Sequence, residues 1–295
     1  MTVIDIHEHV ILKPGFMDPE MGGVTVTTAA ELVEIADKNG IDKMVALPLT
    51  SPETFSFVQS NEEVFQACDA FPGRFIKFCN VDPRLKCNSL TYDFAPVLSY
   101  YKQQGARGLG ELTANLWWDD PRVQNLLRGC EAVGLPVIFH IATHEYNTYG
   151  LVTDLGLAGL ERALQRFPRL QLLGHSQAFW SEVSGDVNAQ NRGGYPKGKV
   201  TPGGRVPELM CKYANLWGDL SAGSGFNAVS RDPEWGYDFF EEFQDRLLMG
   251  LDLCTPRNTE CKLVNYMREG QASGKIKQSV FEKIMGKNAE RLLGL

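Results

Sequence analysis

Short apolar runs recur along the whole chain and alternate with stretches of helical periodicity, and this alternation limits the folds open to it. Eight runs are typical of strands, at residues 3–7, 43–47, 75–80, 106–111, 136–140, 170–175, 215–220 and 246–251. Between them apolar residues recur at helical spacing, most clearly in 28–38, 122–133, 154–167 and 281–293. The runs are almost continuously apolar, as parallel strands covered on both faces tend to be.

Eight strand–helix units in one chain predict an α/β fold of the (β/α)8 TIM-barrel type. The sequence shows no shift in composition and no linker rich in proline or serine, so we expect a single domain over residues 1–295. A doubly wound open sheet is the structural alternative, but no GxGxxG or Walker pattern supports it. The main irregularity is residues 176–204, rich in Gly, Asn and Pro, which we interpret as a long lid-like loop after the sixth strand.

The charge and the cysteines narrow the class of protein. A formal net charge of -7 argues against a nucleic acid or a membrane surface bound mainly through charge. No apolar run approaches the roughly 18 residues of a membrane-spanning helix, and no secretory signal is visible. The seven cysteines form no CxxC pair and are typical of reduced thiols. These features predict a cytoplasmic globular protein that acts on a small molecule.

Side chains that bind metals stand where the predicted strands end. In barrels of this kind the chemistry lies at the C-terminal ends of the strands, which share one rim. Four of the five histidines in the chain fall at such ends. With two carboxylates they form a candidate set of His7 and His9 (strand 1), Glu111 (strand 4), His140 (strand 5), His175 (strand 6) and Asp252, directly after strand 8.

The candidate set allows one divalent ion or two, with zinc the first choice and manganese or iron as alternatives. With one ion, a shell of His7, His9, His140 and Asp252 leaves His175 free for acid–base work. With two, Glu111 bridges the ions, and His140 and His175 hold the second. A carboxylate bridge keeps two cations a few Å apart, and water held between them is activated for attack on an electrophile.

Several segments resemble the amidohydrolase superfamily, and more narrowly its amidohydrolase-related branch of metal-dependent TIM-barrel hydrolases and decarboxylases. They are "IDIHEH", "PVIFH", "LLGH", "DLSAGSG", "GLD" and the closing "IMGKNAERLLGL". The resemblance covers nearly the whole chain. The HxH pair alone is a weak motif, but its combination with the histidines of strands 5 and 6 and the aspartate after strand 8 is specific.

The resemblance implies a role for each matching position. His7, His9 and Asp252 would bind the first ion. His140 would bind that ion in decarboxylase-like members or the second ion in binuclear ones, and His175 would bind the second ion or act catalytically. Asp252 would also take a proton from water and pass it to the leaving group. Homo-oligomers are common among such relatives.

Glu111 is where the chain departs from the simplest family pattern. Many binuclear relatives place a carboxylated lysine at the end of strand 4 and some place glutamate there, whereas decarboxylase-like members generally have no ligand on that strand. A carboxylate here favours two ions, although a glutamate one register away would face the substrate or a helix instead.

Four further residues are candidates for substrate binding. Arg84 follows the third strand in "NVDPR" and would clamp a carboxylate. His144 lies on the loop after strand 5, while Trp117 and Trp180 would line an aromatic pocket. Each of these residues also has an interpretation without a function in binding. Arg84 would be a solvated arginine, His144 a loop histidine, and the tryptophans would cover the barrel rim.

Two functions follow. The first is a metal-dependent hydrolase that cleaves an amide, lactone or ester of a small carboxylated molecule. The second is a mononuclear decarboxylase or hydratase, in which one ion orients an unsaturated carboxylic acid and His175 delivers a proton to carbon. Glu111 separates them, because only the first needs a second ion.

Overall fold

The computed structural model describes residues 1–17, 19, 23, 25–54, 58–256 and 259–295. Within these ranges the strands are β1 (Ile4–Glu8), β2 (Lys43–Ala46), β3 (Phe75–Lys77), β4 (Leu109–Leu112), β5 (Val137–Ala142), β6 (Leu151–Val152), β7 (Leu172–His175), β8 (Leu216–Asp219) and β9 (Leu247–Leu248).

The helices follow the strands and cover the outside of the sheet. In the described ranges they are α1 (Ala29–Asn39), α2 (Asn61–Asp69), the short turn α3 (Leu85–Asn88), α4 (Ala95–Gln103), α5 (Pro121–Val133), α6 (Ala158–Arg166), α7 (Gln177–Ser181), α8 (Arg205–Lys212), α9 (Ala222–Ser230), α10 (Pro233–Glu242), α11 (Lys262–Ala272), α12 (Gln278–Glu282), a π-helical turn (Lys283–Lys287) and α13 (Asn288–Leu293).

The parallel strands close into a TIM barrel. One sheet runs β1-β2-β3 and the other β4-β5-β7-β8-β9, with the short β6 paired beside β5. The two sheets join at Cys79, whose N–H donates to Gly108 O at 2.9 Å and whose carbonyl accepts from Gly110 N at 3.0 Å. On the other side Ile6 N donates to Met249 O at 2.9 Å and connects the last strand to the first. The predicted eight-stranded barrel is therefore confirmed.

Local sequence signals explain where the helices begin and end. Thr28 caps α1 in a capping box with Glu31, and Gly40 ends that helix in the left-handed region. Asp120 caps α5 ahead of Pro121, and Gly134, at a φ of 73°, ends it. These two helices match the predicted ranges 28–38 and 122–133 within one or two residues.

Apolar side chains inside the barrel form an inner cluster that is distinct from the layer between the sheet and the helices. Alternate residues of the strands point inward. The inner cluster consists of Ile4, Ile6, Val45, Leu47, Ile76, Phe78, Ile138, Leu173, Trp217, Leu248, Ala289 and Leu293. Ala289 and Leu293 come from α13, so the last helix adds apolar side chains to the barrel interior.

The described part of the chain departs from the predicted elements in at least three places. The short helix α7 lies within 176–204, which was predicted as a loop. The predicted helix 281–293 is divided by the π-helical turn, where a Cβ on Gly286 would lie 1.9 Å from Thr2 O. The predicted helix 154–167 starts later, at Ala158, because Leu157 before it has a left-handed backbone with a φ of 53°. Among the described residues, no helix has both the length and the hydropathy needed to cross a bilayer.

Candidate metal centre

The two histidines of the first strand are oriented by bonds to their Nδ1 atoms. His7 Nδ1 donates to Asp219 Oδ2 at 2.6 Å, and His9 Nδ1 donates to Leu47 O at 3.0 Å. A carbonyl oxygen and a carboxylate only accept, so Nδ1 carries the proton in both rings. The two Nε2 atoms face each other at 3.3 Å, close enough to share a proton or to bind one cation together. Both residues are buried.

Two carboxylates complete this half of the site. Glu111 Oε2 lies 3.7 Å from His7 Nε2 and 3.4 Å from His9 Nε2. Asp252 Oδ1 lies 3.9 and 3.8 Å from the same two nitrogens. Ligands held about 2.1 Å from a tetrahedral zinc are about 3.4 Å apart, so these separations fit a single ion between the four atoms.

The second half of the site uses the other oxygens of the same two carboxylates. Glu111 Oε1 lies 2.7 Å from His140 Nδ1 and 3.8 Å from His175 Nε2. Asp252 Oδ2 lies 3.7 Å from His175 Nε2. The structure therefore brings together the six predicted ligands as a polar ring (His7, His9, Glu111, His140, His175 and Asp252), with Glu111 between its halves.

These residues fit divalent metal ions. The donors are imidazole nitrogens and carboxylate oxygens, which suit zinc and neighbouring transition metals. A cation between the two buried Nε2 atoms would be a partner for both of them, and a buried acceptor without a partner costs free energy. His7 and His9 with Oε2 of Glu111 would hold one ion, and His140 and His175 with Oε1 would hold another.

The charges of the ring favour a bound cation. Burial lowers the pKa of His7, but the carboxylates of Asp219 and Asp252 outweigh burial and hold that pKa well above its ordinary value. Burial raises the pKa of Glu111, but the neighbouring His140 and the other imidazoles outweigh it and hold the pKa well below its usual range. Burial lowers the pKa of His140. Glu111 is thus ionised at neutral pH.

Asp219 at the end of β8 orients two of the histidines. Besides its bond to His7, its Oδ2 lies 3.4 Å from His175 Nδ1, which also contacts Ser221 Oγ at 2.9 Å. Burial raises the pKa of Asp219, but His7 and His175 together bring it below the ordinary range. A carboxylate behind a ligand histidine fixes the tautomer and the direction of the ring.

A buried pair of carboxyl groups on β1 was not foreseen from the sequence. Asp5 Oδ1 accepts from His7 N at 3.0 Å and Leu251 N at 3.1 Å, and Glu8 Oε2 accepts from Leu253 N at 3.0 Å. Burial raises the pKa of Asp5 to about 6, and burial and Asp5 together raise the pKa of Glu8 well above its usual value. These groups join β1 to the segment after β9. The register of β1 against β2 shifts between Asp5 and Glu8.

Tyr149 covers the ring from the loop after β5, and no sequence pattern singled it out. Its ring centroid lies 4.5 Å from that of His140. Gly150 makes this approach possible, because a Cβ there would lie 2.9 Å from the carbonyl oxygen of His140. Burial, and then the charges of Glu111 and Asp252, raise the pKa of Tyr149. The neutral hydroxyl has no hydrogen-bond partner recorded within the described part of the chain.

The four predicted substrate contacts lie in different surroundings. Arg84 pairs with Glu53 and with Asp82, so the N–H groups on both edges of its guanidinium already have partners. His144 is exposed, and its Nδ1 lies 2.8 Å from Thr143 Oγ1.

The two tryptophans also differ. Trp117 is 41% exposed at the rim, where it pairs through its backbone with Val152. Trp180 is buried between the sheet and the outer helices, and its Nε1 donates to Asp219 O at 2.8 Å. Its indole is therefore committed to packing against β8.

The long segment 176–204 is fastened to the barrel. Arg192 and Glu182 are both buried and lie 2.9 Å apart, and Arg192 Nη1 donates to Thr153 O at 2.8 Å. Glu182 Oε2 also accepts from Gly156 N at 2.8 Å. Tyr195 in the same segment accepts from Gln177 Nε2 at 3.2 Å and lies beside the loop after β8.

Known proteins support the same architecture. The amidohydrolase family model matches residues 4–295. A probable 2-pyrone-4,6-dicarboxylic acid hydrolase from Acinetobacter baumannii, solved with citric acid bound, is 16% identical, with a TM-score of 0.58 and 100% of both chains covered. A 2,6-dihydroxybenzoate decarboxylase from Rhizobium is 14% identical, with a TM-score of 0.56, and the match covers 99% of this chain and 98% of that one.

An amidohydrolase from Burkholderia multivorans, solved with bound zinc, is 14% identical, with a TM-score of 0.61 and 100% of both chains covered. At these identities the solved structures establish a shared fold. No significant match was found among curated proteins.

Proposed function

The chain belongs to the amidohydrolase family, and from this premise we propose that it is a two-metal hydrolase that cleaves an amide, lactone or ester bond of a small carboxylated molecule. The observation that carries the proposal is the division of Glu111 between the two halves of the polar ring. Its Oε2 is 3.4 Å from His9 Nε2, while its Oε1 is 2.7 Å from His140 Nδ1. A carboxylate in this position can bridge two cations.

Divalent ions bound there, zinc in the first instance, would supply Lewis acidity and an activated water molecule. The side chains would do the rest. Asp252, whose Oδ2 is 3.7 Å from His175 Nε2, is placed to accept a proton from water and to return it to the leaving group. Asp219 and Ser221 hold His175 in position. Tyr149 would donate its hydroxyl hydrogen bond to a substrate oxygen.

A carboxylated lactone is the substrate class to test first. The ring offers histidines and two carboxylates, a set suited to hydrolysis at a carbonyl, and the hydrolase from Acinetobacter is named for a pyrone dicarboxylic acid. We propose 2-pyrone-4,6-dicarboxylate as the first probe, followed by smaller lactones and amides.

A mononuclear decarboxylase is the second candidate, and one distance favours it. His140 Nδ1 and Glu111 Oε1 are at hydrogen-bond distance, 2.7 Å, so that His140 could orient Glu111 instead of binding a second ion. His175 would then be free to donate a proton to carbon. The Rhizobium protein of this fold is a decarboxylase of 2,6-dihydroxybenzoate, which we propose as the matching probe.

The deciding experiment counts metal ions per chain by elemental analysis in the wild type and in Glu111→Gln. We expect two ions in the wild type and one in the variant, with ring opening of the lactone probe lost. Glu131→Gln is the matched control, because Glu131 pairs with Arg169 on the outer layer and should keep both ions. One ion in both proteins, together with decarboxylation of the aromatic probe, would replace the first proposal with the second. No ion after reconstitution would contradict both.

A further inference from the structure

We propose that Cys254 is a ligand of the ion held by His7 and His9, and that its thiolate restricts this half of the site to thiophilic ions such as Zn²⁺, Co²⁺ or Fe²⁺. The inference deepens the proposed function and rests on its metal site. It concerns a residue that neither the histidine motif nor the strand-end pattern singles out.

A nitrogen, an oxygen and a sulfur atom that could each bind a metal ion lie close together beside the first ion position. His9 Nε2, Asp252 Oδ1 and Cys254 Sγ all lie within 4.8 Å of one another. The Cys254 thiol contacts Asp252 Oδ1 at 2.7 Å, and this is the oxygen that faces His7 and His9. The thiol is therefore on the side of the ring where the first ion would lie.

A second observation points to a cation at the same place. His9 is 2% exposed, its Nδ1 is used by Leu47 O, and its Nε2 lone pair faces that of His7 across 3.3 Å. A positive centre between the two nitrogens, either a shared proton or a metal ion in its place, satisfies both of them. Cys254 stands next to that position.

The backbone around Cys254 is held from two directions. Cys254 N donates to Asp252 O at 2.9 Å, and Thr27 N donates to Cys254 O at 3.3 Å. Thr27 Oγ1 donates to Leu253 O at 2.6 Å, and Leu253 N donates to Glu8 Oε2 at 3.0 Å. The segment is therefore fixed to β1, and only rotation of the short side chain is needed to turn Sγ from Asp252 to an ion.

Coordination would exchange one bond for another. The S–H bond breaks and its proton leaves to solvent, a sulfur–metal bond of about 2.3 Å forms, and Asp252 Oδ1 is released from its contact with the thiol. No oxidant or reductant takes part. A thiolate is a soft ligand, so the site would favour zinc, cobalt or ferrous iron over magnesium or manganese.

The test is a titration of the metal-free protein with Co²⁺ alone, followed by absorption spectroscopy. A cobalt–thiolate bond produces an intense charge-transfer band in the near ultraviolet that nitrogen and oxygen ligands do not give. We expect this band in the wild type, its loss in Cys254→Ser, and its retention in Cys261→Ser. Cys261 is the matched control, because it lies on the same segment after β9 and belongs to no metal-binding group in the described chain.

A competition with a chelator measures the size of the effect. Cys254→Ser should bind Zn²⁺ more than about 10-fold more weakly, since even residues that only orient ligands contribute 10- to 100-fold to affinity. Absence of the band in cobalt-loaded wild type, or its persistence in Cys254→Ser, would overturn the inference and leave Cys254 as a partner of Asp252. Failure of the wild type to bind any metal would instead refute the proposed function.

Discussion

The barrel interior has an upper half at the C-terminal ends of the strands and a lower half beneath it. The same strands form both halves, but the two halves bury different kinds of side chain. Below, the inner cluster is apolar, and Leu173 and Leu248 are fully buried in it. Above, at the strand ends, the polar ring buries His7, Glu111 and His175 almost as completely. On β7 only one residue, Gly174, separates Leu173 in the lower half from His175 in the upper half.

The difference shows what each half contributes. Burial of apolar side chains stabilises the barrel without further partners. Burial of ionised carboxylates opposes folding unless cations or hydrogen-bond donors surround them. The lower half should therefore fold the chain by itself, whereas the upper half should depend on bound metal. Variants in the two halves should differ in which property they lose.

Asp252→Asn should have the largest effect. The amide cannot accept a proton as the carboxylate does, and an NH2 group that cannot bind a metal ion replaces one of the two ligand oxygens. We expect kcat on the lactone probe to fall by about 10⁴-fold, a loss typical of residues that act as a unit. Asp238→Asn, at an exposed position on α10, should keep full activity. Unchanged activity in Asp252→Asn would remove this residue from the mechanism.

Leu173→Ala should reduce stability and spare the chemistry. Leu173 is fully buried in the inner cluster, so removing its methyl groups leaves a cavity. We expect the free energy of unfolding to fall by about 2–5 kcal/mol, measured by denaturant titration of the metal-loaded protein. The number of ions per chain should stay at the wild-type value. A loss of metal with no change in stability would show that the two halves are not separable in this way.

Asp219→Asn tests how strongly a residue that orients the ligand histidines affects metal binding in the upper half. The neutral amide can still accept from His7 Nδ1, but it removes the negative charge that now lies 2.6 Å away. We expect the affinity for Zn²⁺ to fall by 10- to 100-fold in a chelator competition. Asp120→Asn, at the cap of α5 on the outer layer, serves as the control. Equal Zn²⁺ affinity in the two variants would mean that Asp219 does not act on the metal site.

His144→Ala should have the smallest effect. The side chain is exposed, and its Nδ1 lies 2.8 Å from Thr143 Oγ1. Stability should change by less than about 0.5 kcal/mol, and the metal content should not change. A rise in KM for the lactone probe without a change in kcat would support the substrate contact that the sequence predicted for this histidine.

Much of the fold and the gathering of the ring were predictable from the sequence. Strand identity follows from short apolar runs, and closure into a barrel puts every strand end on one rim. Residues that occupy those ends, such as His140 and Glu111, are therefore brought together whatever the details of the loops. Their function as metal ligands stays a prediction for the metal count to test.

The rest could not be predicted because it depends on contacts between distant segments. Tyr149 and Cys254 reach the ring from loops whose paths are set by Gly150 and by Thr27. Trp180 shows the converse problem, because a loop tryptophan that suggested a pocket wall is buried against β8. No local pattern separates these outcomes, since both follow from packing that the sequence order does not display.

The ion pair between Arg192 and Glu182 has a consequence for how often the barrel opens. Lifting segment 176–204 would move both charges together, but it would break the bond from Arg192 Nη1 to Thr153 O and the bond from Gly156 N to Glu182 Oε2, each 2.8 Å long. A hydrogen bond to a charged group contributes about 1.5–3 kcal/mol, so losing both corresponds to fewer than about one open molecule in a hundred at any moment. Small molecules that reach the polar ring would then enter past the shorter loops. Their rate of entry would not depend on the motion of segment 176–204.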